Sequence, residues 1–193
     1  MKKKSQSVVI LEDAFYTIAA ANGRVLEVAN FNPDNGAPIQ LWDYAGKPWQ
    51  QWSFSPVGGG AYRIKNRFTG KVVDLAFRTT TQGTLLHQWN EVSSTSQHWQ
   101  LEETARGTRI RNVLSGKSLD LAEMSTANGA RAQIWGDVEG GNQEWNIRRV
   151  PERAGEPTPA AEAARAASLQ EQRSSALVRK ISGEKDARRK GRK

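Results

Sequence analysis

The phrase Gln-x-Trp is written three times, in "PWQQWSF", "TSQHWQL" and "GNQEWNI", with its tryptophans at Trp52, Trp99 and Trp145, 47 and 46 residues apart. Each copy sits in a longer register. "NGRVLEV", "TGKVVDL" and "SGKSLDL" align at Gly23, Gly70 and Gly116, and four residues on comes an acid: Glu27, Asp74, Asp120. Fifteen residues after each acid stands another tryptophan (Trp42, Trp89, Trp135), six residues before it a glycine (Gly36, Gly83, Gly129), and ten residues after it the tryptophan of Gln-x-Trp. Ile18, Ile64 and Ile110 keep a period of 46 upstream. A chain repeating at this interval is built from one supersecondary unit that buries its apolar face only against its sisters.

Each unit reads as four short strands between turn residues, in the second copy "AYRIKN", "KVVDLAF", "TLLHQWN" and "HWQLEE". Four strands per unit would also suit a propeller blade, but a propeller closes with about four to eight blades and three are present. Three such units instead close into a barrel with threefold pseudosymmetry, which leaves no open sheet edge. The expected architecture is an all-β β-trefoil over residues 13–150, with repeats at about 13–58, 59–105 and 106–150.

Composition sets the limits of that domain. All seven Trp, three Tyr and five Phe precede residue 150. Pro151, Pro157 and Pro159 then mark a linker into "AAEAARAASLQEQRSSALVRKI", rich in helix formers, and the charge run "EKDARRKGRK". Residues 151–193 are therefore expected to be a linker and a basic, Ala-rich tail, disordered or partly helical. The net charge of +8 belongs to the ends: residues 1–7 carry three Lys, residues 8–150 carry 14 basic and 14 acidic groups, and the tail carries 11 basic and six acidic. Residues 1–12 read as a basic flexible start. Its apolar stretch, "VVIL", falls short of the ~7–15 residues of a signal h-region. A cytoplasmic location is the default expectation, with non-classical export as the alternative. With no cysteine, disulfides and thiolate metal sites are excluded, and no apolar run approaches the ~20 residues of a membrane-spanning helix.

Strand alternation sorts the tryptophans into two kinds. Period 2 places Gln50 with Trp52, Gln97 with Trp99 and Gln143 with Trp145 on one face; one reading has these indoles filling the core between repeats and the glutamines satisfying neighbouring backbone or carboxylate groups. Trp42 and Trp135 instead alternate against Ile39 and Leu41, or Ala132 and Ile134, and so lie on the polar face with Gln40 and Gln133. Trp89 shares its face with His87. An exposed ring on a rigid strand is a platform for the C–H face of a pyranose.

Together these residues resemble the ricin B-type lectin family over about residues 13–150, and "SGKSLDL…NGARAQIW…NQEW" is close to its bacterial consensus. The resemblance implies a β-trefoil in which the acid, the aromatic and an Asn–Gln step surround one sugar. The third repeat is complete: Asp120, Trp135, Asn142 and Gln143. The second matches at Asp74, Trp89 and Gln97, with Ser96 in place of the asparagine. The first has Trp42 and Gln50, but Glu27 replaces the aspartate and Trp49 takes the asparagine position, so it is the weaker candidate. The ranking is third, second, first. The resemblance also implies galactose-type sugars or xylan-like glycans as partners.

Catalysis is not expected. The two aspartates occupy equivalent places in different repeats, and His87 and His98 have no evident triad or metal partners. No cofactor or metal is expected. The expected function is a non-catalytic carbohydrate-binding protein. The alternative is an interaction scaffold whose basic tail, residues 151–193, contacts nucleic acid or an anionic lipid surface.

Overall fold

A computed structural model of the chain describes residues 10–151 together with Ala161 and Ser168. The expectations for the start before residue 10, and for almost all of the tail with its nucleic-acid or lipid contacts, lie outside the described residues. The chain divides into two units, Met1–Ala154 and Gly155–Lys193. Ala161 and Ser168, the described residues of the second, are helical and exposed.

The first unit is all-β, four strands to each repeat. The first repeat holds β1 (Tyr16–Ala19), β2 (Val25–Val28), β3 (Ile39–Trp42) and β4 (Trp52–Gly58). The second holds β5 (Ala61–Asn66), β6 (Val72–Leu75), β7 (Leu86–Trp89) and β8 (Trp99–Glu103). The third holds β9 (Thr108–Asn112), β10 (Ser118–Leu121), β11 (Ala132–Trp135) and β12 (Asn146–Arg149). The first and last strands of each repeat make a ring, pairing β12–β1, β1–β4, β4–β5, β5–β8 and β8–β9 antiparallel. The Thr108↔Trp145 bridge shuts it: Thr108 N donates to Trp145 O at 2.8 Å and Trp145 N to Thr108 O at 2.9 Å. No strand of the ring is left with a bare edge, which is the β-trefoil barrel.

The middle strands form three hairpins, β2–β3, β6–β7 and β10–β11, that cap the barrel. They are joined head to tail by bridges Pro38↔His87, Leu85↔Gln133 and Gln40↔Arg131. At each junction a glycine N–H reaches the next hairpin: Gly36 donates to Gln88 O, Gly83 to Ile134 O and Gly129 to Leu41 O, at 2.8–2.9 Å. These glycines have φ of +85°, +83° and +86°, a region where a Cβ is strained. That is why the repeat keeps glycine six residues before its exposed tryptophan.

The core is the inner face of ring and cap, filled by Ile18, Phe54, Ile64, Ile110 and the three Gln-x-Trp indoles, all essentially inaccessible. A buried indole N–H needs a partner. Trp52, Trp99 and Trp145 each donate Nε1–H to a carbonyl 26 residues back, Leu26 O (3.0 Å), Val73 O (3.2 Å) and Leu119 O (3.1 Å). Each of those carbonyls belongs to the residue before the repeat's acid. The core tryptophan therefore fixes the backbone from which the acid projects.

One expectation is corrected. Gln50, Gln97 and Gln143 do not share a strand with their tryptophans. Each ends a single 3-10 turn, Pro48–Gln50, Thr95–Gln97 and Gly141–Gln143. The turn brings the amide onto the repeat's acid, next to the carbonyl that the tryptophan holds, so glutamine and tryptophan grip the same short segment. In the second repeat the expected strand "KVVDLAF" stops at Leu75, because Phe77 and Arg78 both take positive φ of 55°.

Candidate functional site

Each repeat gathers its candidate residues around its cap hairpin. The acid sits on the hairpin's first strand, and its cross-strand partner is two residues before the exposed tryptophan: Glu27↔Gln40, Asp74↔His87 and Asp120↔Gln133. The three carboxylates are buried. The aromatics are not: Trp42, Trp89 and Trp135 are 42%, 38% and 37% exposed, while the strand neighbours Ile39, Leu41, Leu86, Ala132 and Ile134 are fully buried. Alternation thus separates a ring for the surface from side chains for the core.

The third repeat has the fullest arrangement. Gln133 Nε2 donates to Asp120 Oδ1 at 2.8 Å. Asn142 Nδ2 and Gln143 Nε2 donate to Asp120 Oδ2 at 2.6 and 2.9 Å. Gln143 also donates to Gly136 O at 2.9 Å, and its Oε1 accepts from Val138 N at 3.2 Å. It is 0% exposed, so both ends of its amide are engaged inside the protein. Asn142 is half-buried and uses one amide hydrogen on Asp120, which leaves a donor and an acceptor. Burial pushes the Asp120 carboxyl above the ordinary aspartate value, opposed by the amides of Gln133 and Gln143.

The second repeat keeps the acid and glutamine and changes the rest. Gln97 Nε2 reaches Asp74 Oδ2 at 2.8 Å and Asn90 O at 3.0 Å, with its Oε1 accepting from Val92 N. His87 stands where the third repeat has Gln133, stacked on Trp89 with ring centroids 5.2 Å apart. Asp74 Oδ1 turns to the N–H of Leu75 instead. Burial lowers the His87 pKa, while the Asp74 charge works the other way. Ser96, in the asparagine position, is too short to reach the carboxylate and bonds the Ser94 hydroxyl at 2.8 Å.

The first repeat conserves the carboxylate's grip but loses the polar wall. Glu27 accepts from Gln40 on Oε1 and Gln50 on Oε2, each at 2.9 Å. Trp49 turns its ring aside, 5.2 Å from Phe31 and 6.1 Å from Phe68 between centroids. It supplies no hydrogen-bonding group where Asn142 supplies one.

Two features went unread in the sequence. Gln40, His87 and Gln133 act as cross-strand partners of the acid, a role legible only from hairpin register. The residues three and four places after each acid, Asn30–Phe31, Phe77–Arg78 and Glu123–Met124, all take positive φ between 45° and 59°. Two successive non-glycine residues in this region are strained, and the step recurs three times. It turns Phe31, Phe77 and Met124 outward, Phe77 being 96% exposed.

A family model described as "Ricin-type beta-trefoil lectin domain-like" matches residues 8–89 and 95–158. Among solved structures, a designed threefold-symmetric protein, ThreeFoil, is similar at 29% identity and a TM-score of 0.69, over 72% of this chain and all of that one. An exo-β-1,3-galactanase from Clostridium thermocellum is 32% identical with a TM-score of 0.70, over 75% of this chain but 32% of its own length. A ricin B-like lectin from Macrolepiota procera, solved with lactose, shares the fold at 23% identity, with a TM-score of 0.64 over 74% of this chain and all of that one. No curated protein matches the chain.

Proposed function

The chain belongs to the ricin-type β-trefoil lectin-domain-like family, and from this premise we propose that it is a non-catalytic carbohydrate-binding protein whose best pocket lies in the third repeat. The observation that carries the reading is the pairing of an exposed Trp135 with an Asp120 carboxylate held by three neutral amides. Trp135 offers the flat apolar face for a pyranose. An ionised carboxylate has about four lone-pair sites, three of them occupied here, so one remains for a sugar hydroxyl. Asn142, with a spare donor and acceptor, reads the adjacent hydroxyl. The neutral amides hold the charge in place without cancelling it, as a hydroxyl acceptor requires.

Gln97 and Gln143, expected from sequence to touch the sugar, take a different part in this reading: buried and saturated, they position the carboxylates. The same holds for Gln50. The contacts proposed are Asp120, Trp135 and Asn142 in the third pocket, Asp74, Trp89 and His87 in the second, and Glu27 and Trp42 in a weaker first. A galactose-type sugar is the favoured ligand, in keeping with the lactose-bound relative. A glycosidase brings two carboxylates within ~5–9.5 Å across one bond, whereas each pocket here is built around one acid of its repeat. Single shallow sites bind weakly, and two sites on a multivalent glycan provide avidity.

A glycan array tests the reading. Asp74→Ala combined with Asp120→Ala is expected to abolish binding of neutral galactosides while the circular dichroism spectrum and cooperative unfolding persist. Undiminished binding by that folded double variant would refute the site assignment.

A further inference from the structure

The threefold pattern also breaks outside the three pockets. In the second repeat, Arg63 and Lys65 flank inward-facing Ile64 on β5 and both pair with Glu91, at 3.3 and 3.2 Å. In the third, Arg109 and Arg111 flank Ile110 on β9 and both pair with Asp137, at 3.4 and 2.9 Å. Each acid lies two residues after its repeat's exposed tryptophan. The equivalent positions of the first repeat, around Ile18 and after Trp42, are Thr17, Ala19 and Tyr44. Two long cations and their acid have become a hydroxyl, a methyl and a phenol.

The space they vacate remains as a cleft of ≈ 270 Å³, floored by Thr17 and Ala19 and walled by Tyr44, Asn146, Arg148 and Arg149. Its charge is one-sided. Where the β8–β9 seam sets Glu102 against Arg111 at 2.6 Å, the matching position on β12 is Arg148, and no Asp or Glu lines the cleft among the described residues. Its aromatic wall has one tether: the half-exposed Tyr44 accepts a hydrogen bond from Gln51 Nε2 at 3.3 Å. A hydroxyl, an amide, an aromatic ring and the Arg148 guanidinium line a volume slightly under the ~300–1,000 Å³ of small-molecule sites.

We infer that this cleft is a fourth ligand site, taking a single sugar ring that bears an anionic group, a carboxylate or a sulfate. The ring packs on Tyr44, Thr17 and Asn146 meet its hydroxyls, and the anion faces Arg148, which shares a face of β12 with Asn146 and whose forked donors match an oxyanion. The saccharide part rests on the lectin reading, and the anion part on the lining alone.

The test is a ¹H–¹⁵N chemical-shift titration of the full chain with glucuronate, galactose 6-sulfate, galactose and inorganic sulfate. Expected is saturable binding of at least one anionic sugar, with shifts at Tyr44, Asn146 and Arg148 that galactose does not produce. Those shifts persist in the Asp74→Ala/Asp120→Ala variant, which separates this site from the three pockets. Thr17→Arg with Tyr44→Glu rebuilds the pair that two sister repeats already fold around, and is expected to weaken binding at least tenfold while third-pocket binding is kept. Arg148→Ala provides a second variant and is expected to weaken the anionic sugar alone. Absence of shifts with both anionic sugars, or affinity unchanged in the rebuilt variant, overturns the proposal. Equal shifts with inorganic sulfate overturn the saccharide part.

Discussion

Replacing Gln143 by methionine should disable a pocket whose sugar Gln143 never touches. The side chain is completely buried and makes three hydrogen bonds, to Asp120 Oδ2, Gly136 O and Val138 N. Methionine fills a similar volume and makes none of them. A bond to a charged group is worth about 1.5–3 kcal/mol and a neutral one about 0.5–1.5 kcal/mol. Water can reach the Gly136 and Val138 loop, so the expected loss of stability is about 3 kcal/mol, within the ~5–15 kcal/mol that domains of this size possess. The fold survives with a lower urea midpoint. Asp120 keeps Gln133 and Asn142 but loses the donor that holds it from behind. If the displaced carboxylate forfeits one charge-assisted bond to a sugar hydroxyl, affinity falls roughly ten- to a hundredfold. Calorimetric titration with lactose, beside urea unfolding, reads both quantities. A variant that loses the stability but binds lactose unchanged would show that Gln143 merely props the loop, and the positioning argument would fall. No change in either would mean the hydrogen bonds are not there.

Acidification should separate binding from stability in the third pocket. Burial raises the Asp120 carboxyl above its unfolded value, so it takes up a proton at a higher pH than an ordinary aspartate. Sugar binding there is expected to fade as pH falls through that raised value. The same shift means that Asp120 contributes stability fully below its unfolded value and loses it as pH rises through the folded one; acid should therefore weaken lactose binding without, through this residue, weakening the fold. Titrations against pH beside thermal melts check both signs. For the first pocket, Glu27→Asp with Trp49→Asn should restore the polar wall seen in the third repeat. The expected outcome is one additional sugar per chain by calorimetry, at some cost in melting temperature because the Phe31–Trp49–Phe68 cluster is broken; unchanged stoichiometry would show that the pocket's weakness lies elsewhere.

The period of the sequence carried nearly all of the fold, because threefold closure repeats every constraint three times. Glycine recurs where a hairpin junction needs positive φ, and isoleucine where a ring strand faces the axis. Strand alternation also separated Trp42, Trp89 and Trp135 from the core indoles, since burial follows period 2 wherever a strand is regular. It misled at Gln50, Gln97 and Gln143, where one turn of 3-10 helix breaks the period just before the strand begins. The partnership of Asp120 with Gln133 lay 13 residues apart and depended on hairpin register, which composition does not encode. The left-handed step at Phe77–Arg78 carried no glycine to announce it. The cleft at Thr17 and Tyr44 was written in the repeats, but as a departure from them, and it gained meaning only when Arg63, Arg109, Glu91 and Asp137 were seen to meet in space.

The junction glycines bear on how the binding surface comes into being. A Cβ on Gly83 would stand 3.5 Å from the Trp135 ring, and one on Gly36 would stand 3.9 Å from Trp89, so each of these platforms rests on the repeat before its own. Neither the second repeat nor the third sets up its aromatic platform by itself. A sugar seated on Trp135 bears on two repeats at once and recognises only the closed trefoil, so ligand draws the population toward closure by mass action. The third repeat, cut from the chain and folded against nothing, would hold the signature residues in order but lack the surface on which Trp135 rests.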